Sequence, residues 1–456
     1  MNTRAKIRIG AGAGYSGDRI PPAVELAEKG NLDYLVFECL AERTIALAQL
    51  EKSKNPQLGF DPLLRDRMEA VLPVCVRNGV KIITNMGATN PRAAAMEVLA
   101  VARELGLTRL KIALIEGDDV LSQLRLAENQ RQLILTESEQ PLPALMNNVI
   151  SANAYLGAEP LVKALASGAD VIITGRVADP ALFLAPLVYE FAWSVDDWTR
   201  LGRGILVGHL LECAGQVTGG YFADPGFRDV PDLAHLGFPI AEVSADGNAV
   251  ITKVEGSGGC VTRATCTAQL LYEIGDPSRY VQADVIADFS KVIFEQIAPD
   301  RVRVQGGDGL ARTNTLKVSI GYRDGFIGEG QISYAGLGAV ARGRLALDLL
   351  KIRLADAGLG SCESRFELIG LNSSHGQRLG RNEAKNHEPY EVRARAALRV
   401  ASRKQAERVA NEVEALYLNG PSGGGGVTQS VREVIAVAST LIPREWVTTS
   451  VTVMEL

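Results

Sequence analysis

Residues 6–40, KIRIGAGAGYSGDRIPPAVELAEKGNLDYLVFECL, decide the fold class. Lys6–Ile9 is expected to form a short buried strand ending in the loop GAGAGYSGD, after which Pro21 and Pro22 open a helix through AVELAEKG. Proline suits the first turn of a helix, where its missing N–H would have no partner in any case. LDYLVFEC, residues 32–39, is a second strand with a continuous apolar run. Continuous runs, unlike alternating ones, have both faces covered, which marks a parallel sheet between helix layers.

The pattern repeats outward. VKIITN (80–85), LKIALIEG (110–117) and ADVIITG (169–175) are further strands, and AERTIALAQLEKSK, Leu63–Asn78 and the Ala-rich Arg92–Leu105 are helical. The expected fold class is α/β, with a mostly parallel layered sheet over residues 1–192. Residues 193–360 read as a mixed α+β region. It holds a helix over 196–216, turn residues over 219–240 and a hairpin turning at the DG of AEVSADGNAVITKV. A helix over 261–274, a β-rich stretch over 281–334 and a helix over 339–357 complete it. Residues 361–456 form a β-α-β-β C-terminal segment packed on the rest, with a PSGGGG break at 421–426.

Composition narrows the function. With 456 residues at roughly 150 per domain, two to four domains are expected, and 46% apolar content is ample for a core. A formal charge of −5, from 48 basic against 53 acidic side chains with no basic block, argues against a nucleic-acid partner. The longest nearly apolar stretch, Pro180–Trp193, is too short to span a bilayer, so no membrane association is expected. Six scattered cysteines form neither a disulfide framework nor a CxxC pair, and the start carries no signal region. A cytoplasmic protein acting on something small is the expectation.

In a parallel sheet, ligands bind beyond the carboxyl ends of the strands. That edge here carries Gly12, Gly14, Tyr15, Ser16, Gly17 and Asp18 after the first strand and Glu38 after the second. Asn85, Gly87 and Thr89 follow the third, Glu116 to Asp119 the fourth, and Arg176 and Asp179 the fifth. Gly12, Gly14 and Gly17 satisfy G-x-G-x-x-G, with Glu38 where a ribose-binding acid would lie. A dinucleotide loop, a loop for another anion and a plain tight turn all fit. Arg176 either grips an anion with its fork or pairs with Asp179, and Asp179 reads as the cap of the helix at Pro180.

His209, Glu212, Cys213 and Gln216 share one helix face. His209 with Glu212 suits acid–base work or a buried pair; no third metal ligand can be placed, so no metal is expected. Gly258 and Gly259 precede a helix whose free amides would welcome an oxyanion. Cys260 is taken as the best thiol nucleophile, in that helix's first turn, with a buried small residue as the alternative. GGDG at 306–309 reads as a turn, and the four glycines of 423–426 exceed what a helix stop needs, as a close approach to a ligand or partner would require. Ser373, Ser374 and His375 in NSSHG lack the G-x-S-x-G context of a serine hydrolase.

The segments RIGAGAGYSGDRIPPAVELAEKGNLDYLVFECLAERT, ITNMGATNP, ITGRVADPALFLAPL, GHLLECAGQVTGGYFADPG and GGCVTRATCTAQLLYEIGDPSRY together resemble the acyclic terpene utilisation (AtuA) family through nearly the whole chain. The resemblance implies a setting in bacterial growth on citronellol-type terpenes, through geranyl-CoA and related acyl-CoA intermediates, more firmly than a mechanism. Larger members continue into a ferredoxin-like domain beyond the equivalent of Leu456, which implies a separate small ferredoxin-like subunit or a dispensable domain.

The leading expectation is a catabolic enzyme of lyase, hydratase or hydrolase type acting on a small carboxylate or acyl-CoA; the cofactor is left open, none beyond CoA as part of the substrate being one option. Glu38, His209 and Glu212 supply acid–base groups, and the glycine loops with Arg176 hold the anionic end. A dinucleotide-dependent oxidoreductase and a non-catalytic subunit of a catabolic complex are the alternatives. A homo-oligomer is expected.

Overall fold

All four residues of Tyr34–Phe37 are buried, whichever way they point, so this strand lies between two covering layers. The computed structural model describes residues 5–126, 133–139, 141–374, 376 and 388–456; His375 lies outside them. In chain order the first strands are β1 (Lys6–Ala13), β2 (Tyr34–Phe37), β3 (Lys81–Thr84), β4 (Lys111–Glu116), β5 (Val149–Ala154) and β6 (Val171–Thr174). Then follow β7 (Pro239–Ser244), β8 (Ala249–Lys253), β9 (Tyr280–Val281), β10 (Ile286–Asp288), β11 (Ile293–Ala298), β12 (Arg301–Gln305) and β13 (Asp308–Leu310). The last are β14 (Thr315–Ala335), β15 (Ser364–Ile369), β16 (Glu391–Val400), β17 (Gly425–Pro443) and β18 (Ser450–Glu455).

The chain packs as two compact units, Met1–Gly321 with Val437–Leu456, and Tyr322–Ala436. This division departs from the expected segments 1–192, 193–360 and 361–456, because later strands complete the sheet begun by the earlier ones. The first unit holds a ten-stranded sheet in the order β11-β12-β8-β7-β1-β2-β3-β6-β4-β18. Its centre, β1-β2-β3-β6-β4, is parallel as expected. The flanks are not: β7, β8, β12 and β11 run antiparallel on one side, and β18 pairs antiparallel with β4 on the other. The parallel sheet expected over residues 1–192 is thus the centre of a mixed sheet whose antiparallel flanks come from later in the chain. The Asp246–Gly247 turn that joins β7 to β8, with Gly247 at φ +84°, explains the change of direction.

Helices Pro21–Lys29, Leu64–Asn78 and Pro91–Glu104 form one packed series against this sheet, and Glu159–Ala166, Ala181–Phe191 and Trp198–Leu211 form another. The antiparallel flank is less covered, as such sheets tolerate. Edge strand β11 leaves Ile293 65% exposed. No helix of the described residues is long and apolar enough to cross a membrane.

In the second unit β14, β15, β16 and β17 form a sheet in the order β15-β16-β14-β17, in which β15–β16 and β16–β14 pair antiparallel. Helix Ala339–Leu354 connects β14 to β15, and helix Arg403–Glu414 connects β16 to β17. This β-α-β-β-α-β order is the ferredoxin-like motif. The expected β-α-β-β segment gains two strands and a helix before it and loses its last strand, since β18 belongs to the ten-stranded sheet.

Strand β1 is longer than Lys6–Ile9, because the alternation GAGAG already has the two-residue period of a strand. Gly10 and Gly12 are strand residues, buried on one face: a Cβ on Gly12 would stand 2.6 Å from Phe37 Cε1, and one on Gly10 2.7 Å from Leu32 Cδ1. The glycine at 12 serves packing. Gly12→Val should cost about 1–3 kcal/mol of stability by overpacking, seen as a lower urea midpoint. Adding Phe37→Leu should recover part of the loss; no recovery would show that Gly12 is held there by something other than the Phe37 ring.

Candidate active site at the strand ends

The loop after β1 closes on a buried cation. Arg67, in helix Leu64–Asn78, is fully buried; its Nη2 donates to the carbonyls of Ser16 at 2.8 Å, Asp18 at 3.3 Å and Tyr15 at 3.4 Å. Its Nη1 donates to Asp61 Oδ1 at 3.1 Å and to Cys39 Sγ at 3.3 Å. The loop thus turns carbonyls inward. The Gly14 N–H donates to Asp18 Oδ2 at 2.9 Å, so a carboxylate of the chain stands where a ligand's phosphate would be cradled. This corrects the anion cradle expected from Gly12, Gly14, Tyr15, Ser16, Gly17 and Asp18. Gly14 is needed because a Cβ would lie 2.5 Å from the Cys213 carbonyl carbon.

At the end of β2, Glu38 is brought together with Asn85 from the end of β3. Asn85 Nδ2 donates to Glu38 Oε1 at 2.8 Å, the Leu40 N–H donates to the same oxygen at 2.8 Å, and Asn85 Oδ1 accepts from the Cys39 N–H at 2.8 Å. Loss of water pushes Glu38 up to about 8, the Asp179 charge adds to this, and Arg176 opposes it. Glu38 is therefore a protonated acid at neutral pH.

Arg176 is fully buried, and its guanidinium bonds Leu40 O, Val177 O and Asp179 Oδ1. Its fork is spent on the chain itself, so the expected grip on a substrate anion is not available. Asp179 is not the helix cap either: the cap position of Ala181–Phe191 is Pro180, and Asp179 turns to Arg176, with 37% of its side chain exposed. The Arg176 guanidinium lies 4.4 Å from the centre of the Tyr155 ring, a cation–π contact. Behind it Asp118, pushed up to about 6 by burial, accepts from the Arg176 N–H and from Asn153 Nδ2, each at 2.9 Å.

A cavity of about 450 Å³ opens where Asp179 and Tyr155 leave β6 and β5. Glu42, Glu273, Arg279, Tyr280, Gln282 and Lys317 also line it. Burial would raise Glu42, but the Tyr155 hydroxyl and Lys317 both donate to it and bring it down to about 2. Arg279 forms no ion pair among the described residues.

His209 and Glu212 pair as their spacing implies: Nδ1 to Oε1 is 2.9 Å, and Nε2 lies 3.2 Å from Leu270 O. Both ring nitrogens are occupied and neither residue lines the cavity. His209 instead packs against Tyr280, ring centres 5.4 Å apart, and Tyr280 does line it. Burial pushes Glu212 up to about 7, and its Oε2 has no partner among the described residues. His209 is raised as well: burial disfavours its charge, but the Glu212 hydrogen bond and charge outweigh that.

Other expected residues serve the backbone. Thr89 bonds Gly59 O through both its N–H and its hydroxyl at 3.0 Å, and a Cβ on Gly87 would lie 2.6 Å from Thr174 O. The amides of Gly258, Gly259 and Cys260 donate to His235 O, Pro231 O and Thr218 O, so they are not free for an oxyanion. Cys260 precedes its helix, Arg263–Leu271, and burial raises its thiol rather than lowering it. Among the described residues no group of three or more His, Cys, Asp or Glu side chains could hold a metal. Arg67, Glu42, Tyr155, Tyr280 and Lys317 were not singled out from the sequence. Arg67 left a signal: it occupies a core position of the series Leu64, Arg67, Met68, Val71, Leu72, Cys75.

The molecule is thus a mixed α/β protein with a cavity at the carboxyl ends of its parallel strands, where an α/β sheet takes its ligands. The chain belongs to the acyclic terpene utilisation family: the model described as acyclic terpene utilisation family protein AtuA matches residues 7–453, nearly the whole length. Membership associates it with acyclic terpene catabolism. No curated protein and no solved structure matches the chain.

Two outcomes test this account. Arg67→Leu leaves Asp61 buried and unpaired and should cost about 3–5 kcal/mol; Arg67→Lys should be nearly as costly, since an ammonium cannot span the same acceptors. Thermal midpoints decide it, and a silent Lys variant would show that the fork is not needed. Secondly, Glu38 keeps its proton to about pH 8 when folded but loses it near the ordinary 4.5 when unfolded. Stability from this group is full below 4.5 and declines as pH rises to about 8. Glu38→Gln should therefore gain thermal midpoint over wild type at pH 8 relative to pH 4.5; a pH-independent difference would remove the buried-acid assignment.

Proposed function

We propose that the chain is a catabolic enzyme performing acid–base chemistry, of lyase, hydratase or hydrolase type, on a small carboxylate or acyl-CoA bound in the cavity beyond β5 and β6. One observation carries the reading. Asp179 presents a half-exposed carboxylate to the cavity while its charge is coupled, on the protein side, to the buried proton of Glu38. Pairs of acids whose environments differ in this way suit a proton taken up and passed on.

In this reading Asp179 is the catalytic base and removes a proton from carbon beside the substrate carbonyl. Burial pushes the Tyr280 phenol up, so it stays protonated and can donate to the carbonyl oxygen as negative charge builds there. Arg279 and Lys317 supply positive charge for the substrate's anionic end. Glu38, His209 and Glu212 are positioning residues: Glu38 exchanges its proton with Asp179, and the His209–Glu212 pair fixes the Tyr280 ring. The filled loop after β1 gives the dinucleotide alternative no support.

In a deletion strain that needs this gene for growth on an acyclic terpene, wild type should restore growth. Asp179→Asn and Tyr280→Phe, expressed at equal level and with thermal midpoints near wild type, should not, since losing a positioned acid or base costs about 10²–10⁴ in rate. Growth at the wild-type rate with either variant would remove that residue from the chemistry.

A further inference from the structure

Glu273 lines the cavity, yet the chemistry above gives it no part. It follows helix Arg263–Leu271 and its cap Tyr272, at the position where a chain leaving a helix most often has glycine. Its φ is +60°, in the left-handed region, where a Cβ is crowded by the following carbonyl. Of the nine described non-glycine residues with such a backbone, Glu273 alone lines the cavity. A strained residue persists only where its surroundings hold it. Here the Leu270 carbonyl lies 3.2 Å from His209 Nε2, and Gln269 Nε2 donates to the His209 carbonyl at 2.9 Å. The last turn of the helix is thus tied to helix Trp198–Leu211, and the chain enters Glu273 from a fixed point.

The rest of the lining narrows what this carboxylate does. No cysteine, serine or histidine lines the cavity, so it offers no thiol, serine hydroxyl or imidazole as a nucleophile. The Thr313 hydroxyl donates to the Thr315 carbonyl at 3.0 Å. Glu42 is held by the Tyr155 hydroxyl and by Lys317, which engages all three. Asp179, Glu273 and Tyr280 are left to exchange a proton with a bound molecule. Asp179 is pinned by Arg176, and Glu273 forms no ion pair among the described residues. Burial raises the Tyr280 phenol first, and the charges of Glu212, Asp179 and Glu273 add to it. Both cavity carboxylates therefore act on the group assigned to the substrate's carbonyl oxygen.

Resting on the roles of Asp179 and Tyr280 given above, we propose that Glu273 is the second catalytic carboxylate and that the substrate is a β-hydroxy carbonyl compound, interconverted with its α,β-unsaturated partner and water. In elimination Asp179 takes the proton from the α-carbon, and that electron pair forms the double bond to the β-carbon. The bond from the β-carbon to oxygen breaks, the departing hydroxyl takes a proton from the Glu273 carboxyl, and water leaves. In hydration Glu273 takes a proton from water as its oxygen bonds the β-carbon, and Asp179 returns one to the α-carbon. Nothing is oxidised or reduced. One carboxyl group working at carbon and one at oxygen are what such a transfer of water needs. A glutamate held where glycine would sit without strain is how the fold supplies the second.

Extracts of the deletion strain held on an acyclic terpene, in which the substrate accumulates, provide the probe. Purified wild-type protein should convert an accumulated compound with the gain or loss of one water, read by mass spectrometry. Glu273→Gln should slow that conversion about 10²–10⁴-fold, with a thermal midpoint within about 2 °C of wild type. Glu273→Gly should be as inactive without a lower midpoint, because glycine takes the left-handed backbone freely. Conversion by Glu273→Gln at the wild-type rate, a mass change other than one water, or a clearly lower midpoint in Glu273→Gly would overturn the proposal. With Asp179→Asn inactive, each of those results leaves the role of Asp179 standing. An active Asp179→Asn, or no conversion by wild type, would instead remove the acid–base reading and this proposal together.

Discussion

Arg67 and Arg176 are the two largest fully buried side chains of the described residues, and the strand-end region of the parallel sheet is built around them. Taking a guanidinium out of water carries an effective penalty of several kcal/mol, which only dense hydrogen bonding offsets. Each arginine meets that demand with main-chain carbonyls and one carboxylate: Arg67 with the loop after β1 and Asp61, Arg176 with Leu40, Val177 and Asp179. Carbonyl oxygens point where the cation is. The two guanidiniums therefore dictate the path of the loops after β1, β2 and β6, and with them the positions of Glu38 and Asp179.

The same arrangement sets the proton distribution. Arg176 stabilises charge on Asp179, its direct partner, more effectively than on Glu38, which is further shielded from water. Burial raises both acids, Glu38 to about 8 and Asp179 above its ordinary value, against the lowering charge of Arg176. Asp118, a third carboxyl behind Arg176, accepts two hydrogen bonds and is raised less far, to about 6. Glu38 and Asp118, at about 8 and about 6, thus titrate where free carboxyls are ionised, and Asp179 is raised as well. That spread arises from burial and geometry, with no need for unusual residues.

Much of this could be read from the amino-acid order. Glu38, Asn85, Arg176 and Asp179 each follow an apolar run directly, so their place on the carboxyl edge was legible. His209 and Glu212 declared themselves by helical spacing. What misled was the glycine pattern. GAGAG satisfies a phosphate-loop motif and equally a strand whose alternate residues must be small; only the Phe37 ring and the Cys213 backbone decide between them. Glu42, Tyr155, Tyr280 and Lys317 were illegible for another reason. They come from a helix start, two strand ends and a strand far apart in the chain, and the cavity exists only once β5, β9 and β14 are in place. Arg67 was readable, since an arginine at a core position of an amphipathic helix has to be explained by buried acceptors.

The glycines of the two units show how one residue type answers two different demands. At Gly12 and Gly14 the space a side chain would fill is already occupied by the protein, and a Cβ would collide with a ring or a backbone. At Gly425 that space is empty. The arginines divide in the same way. Arg67 and Arg176 are matched to carboxylates and lie out of reach of water, whereas Arg342 and Arg393 are matched only to neutral oxygens. A cation already neutralised inside a fold gains little from another anion, while one held by dipoles alone keeps its attraction for one. Glycine pressed against its neighbours therefore marks structure in this chain, and the motif reading of a glycine run holds only where such contacts are missing.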